Sequence, residues 1–163
     1  MEIAVLALGC FWGPEIKFSK IHGIIKTEVG YCGGDSPTTT YEEVCTGDTN
    51  HAEVLKLDFD EKTISYEKIL NIFFEIHDPT TLNSQGPDFG TQYRSEIFYL
   101  NNSQKEIAEK VLKKIEKIVV NIGAAKEILT TVARGNSLKA INIETRAIKP
   151  DMHLSACKPG LFV

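Results

Sequence analysis

The pattern of apolar and polar positions in the first part of the chain predicts three strands and one short helix. Residues 3–8 are uninterruptedly apolar, as expected for a strand that is buried on both faces. Pro14 suits a first helical turn, so residues 14–22 are predicted to form a helix. Residues 24–30 form a possible strand, and residues 53–60 alternate with the period of a half-buried strand. The first strand therefore leads through a short turn into a helix.

The same pattern predicts two more helices and a fourth strand in the middle of the chain. Ser65 can cap a helix that ends before Pro79, because proline disfavours helix in the residue that precedes it. Residues 95–100 are predicted to form a strand, and Ser103 with Glu106 resembles the capping box of a further helix. The apolar positions of that helix are Ile107, Val111, Ile115 and Ile118.

Two polar stretches interrupt these elements and are predicted to be loops. Residues 31–50 and 80–92 are rich in residues that favour turns, and structureless segments of such length in compact domains are often functional. The mixture of helices and strands predicts an α+β fold, in which helices pack on a small mixed or antiparallel sheet. No linker-like tract divides the chain, so residues 1–163 are predicted to form a single domain.

Composition and charge exclude several classes of function. The 163 residues are 42% hydrophobic and 25% charged, which suits an ordinary globular protein with a sizeable core. A net charge of −4, without clusters of Lys and Arg, argues against nucleic acid or an anionic membrane as a partner. Glu2 stands where a signal peptide needs basic residues, and no apolar stretch approaches membrane-spanning length. We therefore expect a soluble, cytoplasmic protein.

Four cysteines in an apparently intracellular chain of this size do not indicate a disulfide scaffold, and the spacing of Cys and His does not resemble a zinc site. Cys10 is the best candidate for a reactive thiol. It directly precedes the first predicted helix, where unpaired N–H groups and the helix dipole favour the thiolate. The bulky side chains of Phe11 and Trp12 beside the sulfur suit an apolar group such as a thioether methyl. Taken residue by residue, a buried small thiol with two core aromatics is the commoner outcome.

The pentapeptide Gly9-Cys10-Phe11-Trp12-Gly13 resembles the signature of class A peptide methionine sulfoxide reductases. Further motifs resemble that family in its order, over roughly the first two-thirds of the chain. These motifs are Gly30-Tyr31-Cys32-Gly33-Gly34, Tyr41-Glu42-Glu43-Val44-Cys45, His51-Ala52-Glu53-Val54, His77-Asp78-Pro79-Thr80 and the run from Gln85 to Ser95. The resemblance implies a two-layer sandwich with a ferredoxin-like core. From about residue 121 onward the chain diverges from the family's usual tail.

The resemblance also implies an activity: thiol-dependent reduction of methionine S-sulfoxide, free or in proteins, as a repair of oxidised proteins. Cys10 would attack the sulfoxide sulfur and become a sulfenic acid. Glu53 matches the family's acid, and an apolar pocket would keep its carboxyl group protonated. Tyr41 and Tyr93 match the family's paired tyrosines, whose hydroxyls would polarise the sulfoxide oxygen. These four residues are the expected catalytic set.

Three further residues are implied to bind the substrate. Phe11 and Trp12 would surround the methyl group and favour the S epimer. Asp88 matches a residue that anchors the substrate backbone or orders water, although an Asp after Gly-Pro is also an ordinary turn residue. The family needs no metal or other cofactor, and His51 and His77 are expected in structural positions.

The sulfenic acid on Cys10 would condense with a second thiol to give a disulfide that thioredoxin can reduce. Cys157 is the natural candidate by position, while Cys32, Cys45 or an external thiol could resolve the sulfenic acid instead. Thioredoxin or another thiol reductant as partner and a monomeric state are what the resemblance implies.

Two other functions fit the same residues. The first is an acyl-transfer enzyme in which Cys10 is the nucleophile and His22, His51 or His77 is the base. The second is a methionine-binding or redox-sensing module, in which the pocket persists but the altered tail has removed turnover. A sensor would stop after one equivalent of product.

Overall fold

The fold is given by a computed structural model that describes residues 1–36, 38–133 and 153–156, with side chains described for residues 1–36 and 38–117. The predicted strands and helices occur in the predicted order, and further short elements lie between and after them. In chain order the elements are β1 (Glu2–Leu8), α1 (Trp12–Phe18), β2 (Ile24–Cys32), α2 (Tyr41–Cys45), β3 (Ala52–Phe59), α3 (Tyr66–Ile76), β4 (Ser84–Gln85), β5 (Asp88–Phe89), a 3₁₀ turn (Thr91–Tyr93), β6 (Ser95–Tyr99), α4 (Asn102–Ala133) and β7 (His153–Ala156).

A mixed sheet forms the centre of the fold, with the strand order β2-β3-β1-β6-β7. The β1–β3, β1–β6 and β2–β3 pairs are antiparallel, whereas β7 runs parallel to its neighbour β6. Strands β4 and β5 form a separate small hairpin. The predicted α+β class, with helices on a small mixed sheet, is confirmed.

The two faces of β1 are both buried, which explains its uninterrupted apolar sequence. Leu6 and Leu8 pack into the larger core with side chains of α3 and α4, whereas Val5 and Ala7 pack on the opposite face of the sheet. All four are at most 3% exposed. A buried leucine contributes roughly 1.5–3 kcal/mol through the hydrophobic effect, so this strand anchors the sheet on both sides.

Helix α1 is shorter than the predicted span of residues 14–22. It begins at Trp12 and ends at Phe18, whose side chain is fully buried. Beyond this residue the backbone makes tight turns, in which Ile21 donates to the carbonyl of Phe18 at 3.0 Å and Ile24 donates to that of Ile21 at 3.1 Å. These bonds span three residues rather than the four of an α-helix, so the predicted last turn is absent.

The predicted loop over residues 31–50 contains a helix, α2, that the prediction missed. The Thr40 hydroxyl accepts from the Glu43 N–H at 3.3 Å, and the Glu43 carboxylate accepts from the Thr40 N–H at 2.9 Å. This reciprocal pair is a capping box, and its Thr-x-x-Glu spacing was visible in the sequence. The predicted loop over residues 80–92 likewise contains the β4–β5 hairpin and the 3₁₀ turn.

The capping box predicted from Ser103 and Glu106 is wrong. Asn101 caps α4 instead, because its side-chain oxygen accepts from the Gln104 N–H at 2.9 Å. The buried Gln104 amide in turn donates to the Ile3 carbonyl at 2.8 Å, which ties the start of α4 to β1.

The core-facing positions of α4 agree with prediction. Val111 is buried, and Ile107 and Ile115 pack against the same core, while the side chain of Ile118 lies outside the described residues. Within the described ranges, no helix combines the length and the apolar character that a membrane crossing needs.

Candidate active site

Cys10 lies in the sharp turn between β1 and α1, at the end of the central strand. The turn requires Gly9, which has φ +83° and whose position leaves no room for a side chain: a Cβ there would lie 2.5 Å from the Cβ of Gln85. Cys10 is exposed, and Trp12 is 73% exposed. Cys10 is therefore not a buried core thiol, and Trp12 is not a core aromatic residue.

Glu53 stands at the site because of the two-residue period of β3. Phe59, Leu57 and Leu55 form a row on the helix-facing side of the sheet, and Glu53 is the next member of that row. Its carboxylate accepts a long hydrogen bond of 3.4 Å from the N–H of Phe11, the residue after the nucleophile. The apolar side chains on this face of β3 are thus followed by a carboxyl group at the end of the strand that lies beside the β1–α1 turn.

The environment of Glu53 favours the protonated acid. Its side chain is buried, with the residue only 6% exposed, and among the described residues no Lys, Arg or His forms an ion pair with it. Burial raises the pKa of the Glu53 carboxyl, the negative charge of Asp88 raises it further, and the Phe11 N–H opposes both. The alternative of an exposed Glu at the start of a strand does not hold.

Tyr93 lies in the 3₁₀ turn that leads into β6. Burial raises the pKa of its hydroxyl, and the charges of nearby groups raise it further, so the hydroxyl is a protonated donor. In decreasing order of effect, these groups are Glu53, Asp88, Cys45 and Cys10. The structure therefore gathers both predicted carboxyl groups and the predicted nucleophile around Tyr93.

Tyr41 and Cys45 lie one turn apart on α2, and interaction with the Cys45 thiol raises the pKa of the Tyr41 hydroxyl. The tyrosine is otherwise largely exposed. Weaker contributions come from the charges of Cys45, Tyr93 and Glu53. Tyr41 thus lies near Tyr93 and Glu53, and it is carried by α2, which was predicted to be part of a loop.

Asp88 belongs to β5 rather than to a turn. It pairs with Gln85 across the β4–β5 hairpin, and it is Gln85 that packs against Gly9. The hairpin therefore brings Asp88 to the β1–α1 turn, where its charge acts on both Glu53 and Tyr93.

Tyr31 is a site residue to which the sequence analysis assigned no role. It is the direct cross-strand partner of Glu53 in the β2–β3 pair, and its ring centroid lies 6.1 Å from that of Phe11. Burial, and then the charge of Glu53, raises the pKa of Tyr31 to about 12. The signal that could have found it is the strand period, since residues 27, 29 and 31 face residues 57, 55 and 53 in the antiparallel register.

His51 and His77 occupy structural positions, as expected. The buried His51 ring contacts the Ser36 carbonyl through Nε2 at 3.2 Å. His77 donates from Nδ1 to the Phe73 carbonyl at 2.6 Å, and its Nε2 accepts from the Ser95 hydroxyl at 3.0 Å. Burial lowers the pKa of His77 to about 4, so its ring is neutral.

These contacts weaken the acyl-transfer alternative, which needs a histidine base paired with Cys10. The Nε2 atom of His51 and both ring nitrogens of His77 are engaged elsewhere, and His22 is an exposed residue whose charge acts on Asp60. As for metals, the part of the chain that the structure describes brings together no group of three or more His, Cys, Asp or Glu side chains suited to a metal ion.

The candidate resolving thiols differ in their surroundings. Cys45 is exposed on α2, and Cys32 is buried at the end of β2. Cys157 lies outside the described residues. The preceding strand β7 pairs in parallel with β6, with Ala156 opposite Tyr99.

Comparison with known proteins gives a consistent result. The family model for peptide methionine sulfoxide reductase matches residues 2–139. The chain is 76% identical over 130 residues to the peptide methionine sulfoxide reductase MsrA of Pelagibacter ubique, which covers 79% of this chain and 88% of the relative.

Solved structures show the same likeness. Methionine sulfoxide reductase A of Corynebacterium diphtheriae superposes with a TM-score of 0.71 at 35% identity, covering 77% of this chain and 59% of that one. Mxr1 from Saccharomyces cerevisiae in reduced form superposes with a TM-score of 0.65 at 35% identity, covering 96% of this chain and 76% of that one. The structure of Mxr1 in complex with Trx2 superposes with a TM-score of 0.50 at 24% identity. The chain thus spans less than two-thirds of the length of the Corynebacterium structure.

Proposed function

The chain belongs to the family of peptide methionine sulfoxide reductases and is an oxidoreductase of that class, and on this premise we propose that Cys10 reduces methionine S-sulfoxide, free or in proteins. The observation that carries the proposal is the position of Glu53. A buried carboxyl with a raised pKa, bonded to the peptide N–H next to the nucleophile, is the acid that this chemistry needs.

In the proposed reaction the Cys10 thiolate attacks the sulfoxide sulfur while Glu53 supplies a proton to the sulfoxide oxygen. The oxygen leaves the methionine sulfur and ends on Cys10 as a sulfenic acid, so methionine is reduced by two electrons and cysteine is oxidised by two. Because the reaction consumes a proton, a carboxyl that stays protonated above its ordinary range extends activity toward neutral pH.

The hydroxyls of Tyr41 and Tyr93 are proposed to hydrogen-bond the same oxygen. Both have a raised pKa and are therefore protonated donors. Phe11 and Trp12 are proposed to contact the methyl group, and the exposure of Trp12 leaves its ring open to a substrate. Asp88, held beside Glu53 and Tyr93 by the hairpin, is proposed to bind the substrate's backbone.

Turnover then requires a second thiol. A thiol that condenses with the sulfenic acid forms a disulfide and releases water, and a dithiol reductant then restores both cysteines. Cys157 stays the predicted resolving residue, and the exposed Cys45 is the alternative within the described residues. Mxr1 from Saccharomyces cerevisiae forms a complex with Trx2, which supports thioredoxin as the proposed reductant.

The test is turnover of the separated S and R epimers of a blocked methionine sulfoxide with dithiothreitol, followed by the same assay with thioredoxin. We expect multiple turnovers on the S epimer alone, and none above background for Cys10→Ser, whose exposed position should leave the urea midpoint unchanged. Release of only one equivalent of product would favour the sensing alternative. Full turnover by Cys10→Ser would refute Cys10 as the nucleophile.

A further inference from the structure

We infer that Tyr31 is a positioning residue for the reductase reaction: its ring fixes Phe11, and thereby the peptide N–H that holds Glu53 beside Cys10. This inference rests on the proposed roles of Cys10 and Glu53. It concerns a residue that is proposed to act through its neighbours and not on the substrate itself.

Tyr31, Glu53 and Phe11 are linked pairwise next to the nucleophile. Tyr31 faces Glu53 directly across the β2–β3 pair. The Tyr31 ring packs on that of Phe11, with the planes tilted by 50° and the centroids 6.1 Å apart. Phe11 closes the set through its N–H, which donates to Glu53 Oε2 at 3.4 Å. Since opposed strand residues have Cβ atoms only about 4.5–5.5 Å apart, a change at Tyr31 reaches both other members.

The backbone of Phe11 is also restrained by its carbonyl, which accepts from the Glu15 N–H at 2.9 Å. Phe11 is the N-cap residue of α1 but makes no capping hydrogen bond through its side chain, and it is only partly buried. Its φ and ψ of −76° and −14° already lie in the helical region. The contact with the Tyr31 ring therefore restrains the side chain of Phe11, the residue that links the nucleophile to the acid. Aromatic pairs of this kind contribute beyond their buried area.

Tyr31 also keeps water from Glu53. The residue is 8% exposed and stands directly opposite Glu53, whose carboxyl has a pKa that burial raises. Replacing the ring by a smaller side chain would admit water next to Glu53 and lower the pKa of that carboxyl toward its ordinary value. Glu53 would then lose its proton at a lower pH, and the pH–rate profile would show activity falling at a lower pH than in the wild-type protein.

The experiment compares Tyr31→Phe with Tyr31→Leu in the S-epimer assay with dithiothreitol. Tyr31→Phe keeps the ring and should stay within about 3-fold of the wild-type kcat. Tyr31→Leu should lower kcat by about 10- to 100-fold, as expected when a catalytic group is slightly misplaced. It should change KM less than kcat and should move the alkaline limb of the kcat/KM profile to lower pH.

Val29→Ala is the matched control, because Val29 is two residues earlier on the same strand and face, opposite Leu55. It should leave the alkaline limb where the wild-type protein has it. Should Tyr31→Leu fail to fold, as judged by its circular dichroism spectrum, Tyr31→Met takes its place with the same expectation.

Wild-type kcat and an unmoved limb in Tyr31→Leu would overturn the inference, and so would a large loss in Tyr31→Phe, which would assign the role to the hydroxyl. Failure of the proposed function itself gives a different result. In that case the wild-type protein would not turn over the S epimer, or Cys10→Ser would remain active.

Discussion

Two of the glutamates with described side chains are buried in the central sheet, and their surroundings are opposite. Glu96, 3% exposed, forms a 2.6 Å ion pair with Arg94 on the side of the sheet away from the helices. The Arg94 guanidinium also donates to the Thr91 carbonyl at 3.0 Å. Glu53, 6% exposed, lies on the helix-facing side and receives a long hydrogen bond from a peptide N–H.

The presence or absence of a neighbouring cation distinguishes a carboxylate with a structural role from a carboxyl group suited to catalysis. A buried carboxylate beside a cation is held ionised, and removing either partner leaves an uncompensated buried charge. A buried carboxyl without a cation beside it has a raised pKa, which favours the protonated form that can donate a proton in catalysis. The paired Glu96 therefore stabilises the turn that carries Tyr93, and Glu53, which has no cation beside it among the described residues, is available for catalysis.

The largest effect is expected from Glu53→Gln, which should lower kcat with methionine S-sulfoxide by about 100- to 10,000-fold, the usual contribution of a general acid. Glutamine keeps the shape and can still accept from Phe11, so the circular dichroism spectrum should not change. Activity within 10-fold of the wild-type protein would remove Glu53 from the mechanism.

Glu53→Gln should also change how the stability of the fold depends on pH. Because the folded-state pKa of Glu53 is raised above its ordinary value of 4.5, its contribution to stability is fully present below that value and is lost as pH rises through the folded-state pKa. Urea unfolding of Glu53→Gln and of the wild-type protein should thus show the variant gaining relative stability from pH 4 to pH 8. A constant difference would contradict the raised pKa.

The second effect in size is expected from Glu96→Gln, through stability and not through chemistry. Removing one member of a buried pair costs about 3–5 kcal/mol, because Arg94 keeps its charge without a counter-charge. The urea midpoint should fall, while the fraction that remains folded should keep its KM. The control is the double variant Arg94→Met with Glu96→Met. Its loss of unfolding free energy should be smaller than the sum of the losses in Arg94→Met and Glu96→Met measured separately.

The smallest effect is expected from Glu28→Gln, a third carboxylate on the same sheet. Glu28 bridges Lys56 at 2.5 Å and Lys26 at 2.9 Å, and these hydrogen bonds, that with Lys56 first, lower its pKa to about 2. The group is nevertheless close to solvent, where ion pairs contribute little to stability. The urea midpoint at 0.5 M salt should be unchanged within error. A large shift would mean that proximity of charges, and not burial, decides the ranking of the three glutamates.

Four of the five strands in the central sheet and the long helices could be predicted from the sequence, because their patterns extend over several residues. The apolar run of β1 and the alternation of β3 each predicted the correct element within one residue at either end. Short elements were missed: α2 has five residues, β7 has four, and β4 and β5 have two each. Such elements are fixed by a single cap or by tertiary contacts, as with Thr40 at α2, and not by periodicity.

The site could be predicted only in part for a related reason. The motif around Cys10 is local in sequence and could be recognised directly. Tyr31 acquires its position from strand pairing, and the register that places it opposite Glu53 joins residues 22 positions apart. Whether Glu53 would be paired with a cation could not be read from the sequence either, because its neighbours come from the β1–α1 turn and the β4–β5 hairpin.

The two-residue period that brings Glu53 to the nucleophile also limits how this protein can evolve. Many substitutions along β3 would leave the alternation intact and the acid in place. A single inserted or deleted residue between Glu53 and Leu57 would instead turn the carboxyl to the opposite face of the sheet, and would offer Cys10 the side chain of Ala52 or Val54. Within this strand, lineages of the protein should therefore tolerate exchanges between side chains of similar size and polarity but keep a constant length.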